Sequence, residues 1–333
     1  GNSPIDRLVW GRVGGGEYGI SRLCDILEQH GVVGNFLIDF ATCAIEGEAK
    51  LAAIIDHIAS RGHELHLHLH PDRLAPAWGL KINQGRSIGL DATAYDMSRR
   101  LLDYTVFMFE RFAQRPPRVF RSGAYRTNAD LILAAGSVGI EALTNVRRDM
   151  VADPMIAGGD LLTDREPFVW DNGVIEIPVD ISSPEPGSFE NYLTAYARTM
   201  KRKRSERTYN VVMHSFSLLR RNEHGVHDAF APEIEDNLHR MCEHALKNGR
   251  VLGYARYLDE TDVVRPVVPI GRIRDERLAS PVYVTTPDIT RCNVCDTPFA
   301  RSRRPDGRCP SCGLGAEHRS LRYVLDNYGD VFA

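Results

Sequence analysis

Residues 62 to 72 read Gly-His-Glu-Leu-His-Leu-His-Leu-His-Pro-Asp, and their strict alternation predicts a β-strand. Successive side chains of a strand point to opposite faces, so Leu65, Leu67 and Leu69 form one face and His66, His68 and His70 the other. The apolar face implies that the imidazoles on the opposite side line something enclosed. Neutral imidazole is a common metal ligand, and same-side histidines two apart, or four apart across a strand end, can converge on one cation. The competing reading is a half-exposed strand whose histidines meet only water.

Working outward, the chain alternates helical and strand-like periodicities. Ile20 to His30 has helical spacing and ends at Gly31, Val32 to Phe40 is β-branched and aromatic, and Glu48 to Ser60 is helical and ends before Gly62. Beyond the histidine strand a long helix is predicted from about Ala94 to Gln114, stopped by Pro116-Pro117. A strand at Arg118 to Arg121, a helix near Asn128 to Ala135 and strands near Ile140 to Thr144 and Val174 to Val179 follow. A helix through Tyr196, a strand at Tyr209 to His214, a helix from Pro232 to Lys247 and a last strand near Arg250 to Tyr254 complete the series. Such alternation implies an α/β fold with a parallel sheet and right-handed crossovers, doubly wound or closed into a barrel. His68, His70, Arg121 and His214 fall at strand C-terminal ends, where barrels place their sites.

The 333 residues suit one large domain with a small appendage, and the net charge of −3 points to neither nucleic acid nor a membrane surface as the main partner. Lys201-Arg202-Lys203-Arg204 is read as a solvated helix end. No apolar run approaches the roughly 20 residues needed to span a bilayer. The chain opens Gly-Asn-Ser-Pro without Met, from which residues ahead of Gly1 are expected. Of seven cysteines, Cys292, Cys295, Cys309 and Cys312 form two C-x2-C pairs, while Cys24, Cys43 and Cys242 are scattered. That usage favours structural zinc and free thiols in a reducing, cytoplasmic compartment over a disulfide framework.

Three separated motifs carry a family resemblance. Gly62-His63-Glu64 leading into the histidine strand, Phe120-Arg121-Ser122-Gly123-Ala124-Tyr125, and Val211-Val212-Met213-His214-Ser215 together resemble the NodB-type polysaccharide deacetylases, carbohydrate esterase family four. Tyr18 to Phe36 is similar to that family's first helix and second strand, and the resemblance covers about residues 5 to 257. It implies a distorted (β/α)7 barrel that removes acetyl groups, mostly from N-acetylated sugars, with a divalent metal held by one Asp and two His. Anchored on Gly62-His63-Glu64, the family's His-x-x-x-His pair falls on His68 and Asp72; anchored on His70-Pro71-Asp72, it falls on His66 and His70. The first register needs no gap, with His70 beside it as a substitute ligand. Arg121 matches the arginine that orients the catalytic carboxylate, and His214 the histidine that protonates the leaving amine. The family's first strand carries Asp-Asp or Asp-x-Glu, which Leu8-Val9-Trp10-Gly11-Arg12 lacks; Asp6 and Glu17 are the nearest carboxylates. The acidic strand is therefore expected upstream of Gly1, or the domain is inactive.

Past about Leu258 the alternation stops, and Pro-rich segments lead to the cysteines. The organisation expected is a barrel over 1–258, a packed or tethering linker over 259–288 and a zinc ribbon over 289–333, with Cys292, Cys295, Cys309 and Cys312 around one structural Zn2+. The stretch from Arg291 to Arg308 is rich in arginine, but Phe299 is the one aromatic interleaved among those arginines, which argues against nucleic acid. It resembles ribbons that precede some S-adenosylmethionine-dependent methyltransferase domains, so a C-terminal methyltransferase partner domain is expected. The function expected is metal-dependent deacetylation of an acetamido sugar in bacterial surface-polysaccharide or O-antigen assembly. The rivals are an inactive glycan-binding module on the same fold and a ribbon-led interaction protein.

Overall fold

The computed structural model describes residues 4–40, 47–71, 90, 93–147, 167–182, 188–201, 207–261 and 265–273, and the backbone of 289–291 and 298–300. The chain divides into two compact units, and the larger lies within 1–71 and 89–280. Its helices are α1 (Pro4–Leu8), α2 (Ile20–Gln29), α3 (Glu48–Ser60), α4 (Tyr95–Ala113), α5 (Ala129–Ser137), α6 (Ser188–Met200), α7 (Pro232–Asn248) and α8 (Tyr254–Glu260). Its strands are β1 (Arg12–Val13), β2 (Gly16–Glu17), β3 (Asn35–Asp39), β4 (Glu64–Leu69), β5 (Val119–Ser122), β6 (Ala142–Leu143), β7 (Phe168–Trp170), β8 (Ile175–Glu176), β9 (Ile181–Ser182), β10 (Val211–Val212), β11 (Leu219–Arg221), β12 (His227–Phe230) and β13 (Val267–Val268).

Seven strands form the central sheet in the order β13-β7-β8-β6-β5-β4-β3, parallel throughout except for the β7–β8 pair. Helices α2, α3 and α4 follow the predicted periodicity because their apolar residues recur on one stripe; α3 buries Leu51, Ile54, Ile55 and Ile58. The histidine strand is β4. Leu65, Leu67 and Leu69 are at most 3% exposed, and burying each stabilises the fold by about 1.5–3 kcal/mol. The register sets Asp39 beside His68, and His68 beside Arg121. Paired residues of parallel strands share a face, so these three stand in one row at the C-terminal end of the sheet.

Several expectations are corrected. Arg250 to Tyr254 is no strand: the segment leads into α8, because side chains from the sheet capture that helix's first N–H groups. Asn35 Oδ1 accepts from Tyr254 N at 2.7 Å, and Glu64 Oε2 accepts from Ala255 N at 2.8 Å. Gly253 passes so close to Glu64 that an added Cβ would meet its Oε1 at 2.0 Å. The segment from Val9 to Gly11 joins α1 to the β1–β2 hairpin, in which Arg12 pairs with Glu17.

Among the described residues the sheet does not close. The parallel pair β9–β10 stands beyond the Arg147–Val179 bridge, and no hydrogen-bonded pairing joins β10 to β3. The closed barrel implied by the resemblance is thus an open, mostly parallel sheet with an added pair in these residues. Val267–Val268, inside the stretch expected to link the domains, pairs with Val169–Trp170 as an edge strand. In the second unit, β14 (Ile289–Arg291) and β15 (Pro298–Ala300) form an antiparallel ribbon. Cys292, Cys295, Cys309 and Cys312 lie outside the described residues, as does Asp72. Cys24 and Cys242 are buried free thiols.

Candidate active site

The site is assembled where β4, β5 and β10 end. His68 is half-buried, its Nδ1–H donating to the main-chain oxygen of Arg121 at 2.7 Å. Burial first, and His70 second, push its pKa down to about 3, which keeps the ring neutral. Donation from Nδ1 to a carbonyl leaves the Nε2 lone pair free of a proton, the state of a metal-ligating imidazole supported by a backbone carbonyl.

His70 follows on the same face, its ring 4.8 Å from that of His68 and nearly perpendicular. Gly123, in the turn after β5, makes room for it: a Cβ there would come within 2.5 Å of His70 Nδ1. The Arg121-Ser122-Gly123 segment therefore grips both histidines, one through a carbonyl and one through a missing side chain.

Arg121 is 5% exposed, and its charge is held by neutral groups. Nε donates to Thr144 O at 3.1 Å, and Nη2 donates to Thr144 Oγ1 at 2.9 Å and Tyr254 OH at 3.1 Å. Its guanidinium carbon stands 5.6 Å from the Tyr125 ring centre. Among the described residues it forms no ion pair with a carboxylate.

His214 follows β10, its backbone N–H donating to Ser217 Oγ at 2.8 Å and its ring stacked on Phe216 at 4.9 Å. The residue is exposed at the surface, where partial desolvation first, and then Arg121 and His227, lower its pKa. His214 and Arg121 both act electrostatically on His68, so residues more than a hundred positions apart meet at one place.

His66 belongs elsewhere. Fully buried, it places Nε2 3.1 Å from Glu64 Oε2 and 3.2 Å from Asn35 Oδ1, beneath the site and beside Tyr254. Its Nε2 is thus taken up by these two groups. Sequence reasoning missed two residues. Asp39 ends β3 next to His68 and accepts from His70 N at 3.5 Å; the signal was a carboxylate closing the otherwise apolar run Phe36-Leu37-Ile38. Tyr254 gave no local signal. Among the described residues no three His, Cys, Asp or Glu side chains group to hold a metal.

No family model matches the chain, and no curated protein matches it. Solved structures similar to it include a candidate polysaccharide deacetylase from Mycobacterium smegmatis, at 16% identity and TM-score 0.49 over 75% of this chain and 82% of that one. A candidate polysaccharide deacetylase involved in O-antigen biosynthesis from Bordetella bronchiseptica matches at 12% identity and TM-score 0.35, over 67% and 84% of the two chains. A family-four pseudoenzyme from Bacillus anthracis matches at 14% identity and TM-score 0.39, over 75% and 63%. The structural neighbours are polysaccharide deacetylases and their inactive relatives. No helix among the described residues is long and apolar enough to cross a membrane.

Proposed function

We propose that the chain is a metal-dependent N-deacetylase of an acetamido sugar, serving the assembly of a bacterial surface polysaccharide. The observation that carries this reading is the 2.7 Å bond from His68 to Arg121 O, with His70 and His214 close by, which joins the three sequence motifs in one site. The donor chemistry suits a divalent cation. His68 is neutral with a fixed tautomer, His70 is adjacent, and Asp72 follows two residues on; these three would hold the ion, which when bound supplies Lewis acidity and an acidified water.

The remaining groups divide the other tasks. Arg121, held by neutral partners, offers its charge to a carboxylate or to oxyanion character in the reacting amide. His214, with its lowered pKa, is a stronger acid once protonated and would hand its proton to the leaving amine. Hydrolysis would further require a carboxylate base. Cys292, Cys295, Cys309 and Cys312 would hold a structural zinc in the C-terminal ribbon.

A second reading is a glycan-binding module on the same scaffold. One observation favours it: among the described residues no carboxylate pairs with Arg121, and residues 4–17 form a helix and hairpin, not an acidic strand. Acetate release from an N-acetylated sugar nucleotide or a lipid-linked acetamido glycan, assayed with Zn2+, Co2+ or Mn2+, separates the two. Release that disappears with chelator supports the enzyme; glycan binding without release from any such substrate supports the module.

A further inference from the structure

Arg121 is locked into a closed circuit of hydrogen bonds. Its Nη2 donates to both Thr144 Oγ1 (2.9 Å) and Tyr254 OH (3.1 Å). The Tyr254 hydroxyl donates onward to Asn210 Oδ1 at 2.9 Å, and Asn210 Nδ2 donates to Thr144 Oγ1 at 3.2 Å, closing the ring. Thr144 is fully buried, and Arg121 and Tyr254 nearly so. Asn210 is half-buried, and among the three buried members a broken bond would leave a polar group without water, which favours one geometry.

The members come from four parts of the chain. Arg121 is the penultimate residue of β5, Thr144 follows β6, Asn210 precedes β10 and the strand end that carries His214, and Tyr254 opens α8. Tyr254 is itself aimed from below, where Asn35 Oδ1 holds its backbone N–H and the His66 ring lies 5.3 Å away. Asn210 is anchored through its backbone N–H to Asp180 Oδ2 at 2.8 Å. The circuit consumes Nε and Nη2, and among the described residues Nη1 carries no protein hydrogen bond. One edge of the guanidinium is fixed while the other is presented.

We propose that Tyr254 is a positioning residue that sets the orientation of Arg121 and ties it to the strand bearing His214. The role rests on the deacetylase-like reading of Arg121 as the arginine that meets an anion, but the circuit itself can be tested without turnover. Removing one hydroxyl should free the guanidinium to rotate without disturbing the apolar body of the ring.

The test uses the full chain with 15N-labelled arginine, the Arg121 Nε–H resonance being assigned by its loss in Arg121→Lys. In the wild type this proton should exchange slowly with solvent. Tyr254→Phe, and independently Thr144→Val, should speed its exchange roughly tenfold or more, while Tyr257→Phe on the same helix should leave it unchanged. On a substrate that releases acetate, Tyr254→Phe should lower kcat about tenfold with KM little changed, since misplacement of a site group costs rate more than binding. Unchanged Nε–H exchange in Tyr254→Phe overturns the proposal. Absence of acetate release from the wild type overturns the deacetylase reading instead, and the exchange measurement still decides the positioning role.

Discussion

His68 donates its Nδ1–H to the main-chain oxygen of Arg121, 2.7 Å away. That bond fixes which imidazole nitrogen is free, and it makes the position of one motif depend on the backbone of another. The arrangement leads to five expectations.

Gly123→Ala should disturb His70 first, because the new methyl would lie 2.5 Å from its Nδ1. If His70 helps to hold a divalent ion, affinity for Zn2+ or Co2+ should fall about 10- to 100-fold. Titration calorimetry measures this, and equal affinity in variant and wild type would remove His70 from the site.

His214→Ala should lower acetate release by about 100-fold or more while leaving metal content unchanged, as positioned proton transfer commonly contributes that much. Metal loss alongside activity would show instead that His214 belongs to the metal shell.

Glu64→Ala should destabilise the large unit by about 2 kcal/mol, the scale of a lost hydrogen bond to a charged group. Burial alone would raise the Glu64 pKa, but the bonds from His66 and the α8 backbone outweigh it and hold it below the ordinary value. The carboxylate is thus charged at the N-terminus of α8, where it meets Ala255 N at 2.8 Å. Urea unfolding gives the number, and a midpoint matching wild type would contradict the capping role.

Stability should fall on acidification through His63. Its side chain is 2% exposed, its Nδ1 accepts from Gly34 N at 3.1 Å, and burial lowers its pKa. The unfolded chain, with a histidine pKa near 6.5, takes up the proton first, so His63 supports the fold fully above about pH 6.5 and progressively less below it. Unfolding free energies at about pH 7.5 and about pH 5.5 should differ less in His63→Gln, which retains an acceptor. An identical pH slope in the variant would exclude His63 as a contributor.

Chelation should release the C-terminal ribbon and spare the large unit. Small metal-held modules take much of their folding energy from the ion. Limited proteolysis after chelator treatment should cut beyond about residue 289 first, and simultaneous cleavage throughout the large unit would count against a zinc held by Cys292, Cys295, Cys309 and Cys312.

The alternation of residues 64–69, the stripe of α3 and the stops at Gly62 and Pro116-Pro117 are local properties, so the order of elements from α2 to β5 could be read directly. Position at a strand's end likewise marked His68, His70, Arg121 and His214 as site residues. The sequence by itself determined which face of β4 is polar and which residue types meet there, because a side-chain period of two follows from backbone geometry alone. Only the tertiary structure decided the rest. Tyr254 lies 133 positions from the arginine it holds, and it begins a helix rather than ending a strand because Asn35 and Glu64, about 219 and 191 positions before their partners, capture that helix's N–H groups. The separation of His66 from His68 was decided in the same way. Both share a face and a residue type, but one meets a buried carboxylate and the other a backbone carbonyl, and no local pattern encodes which partner the fold delivers.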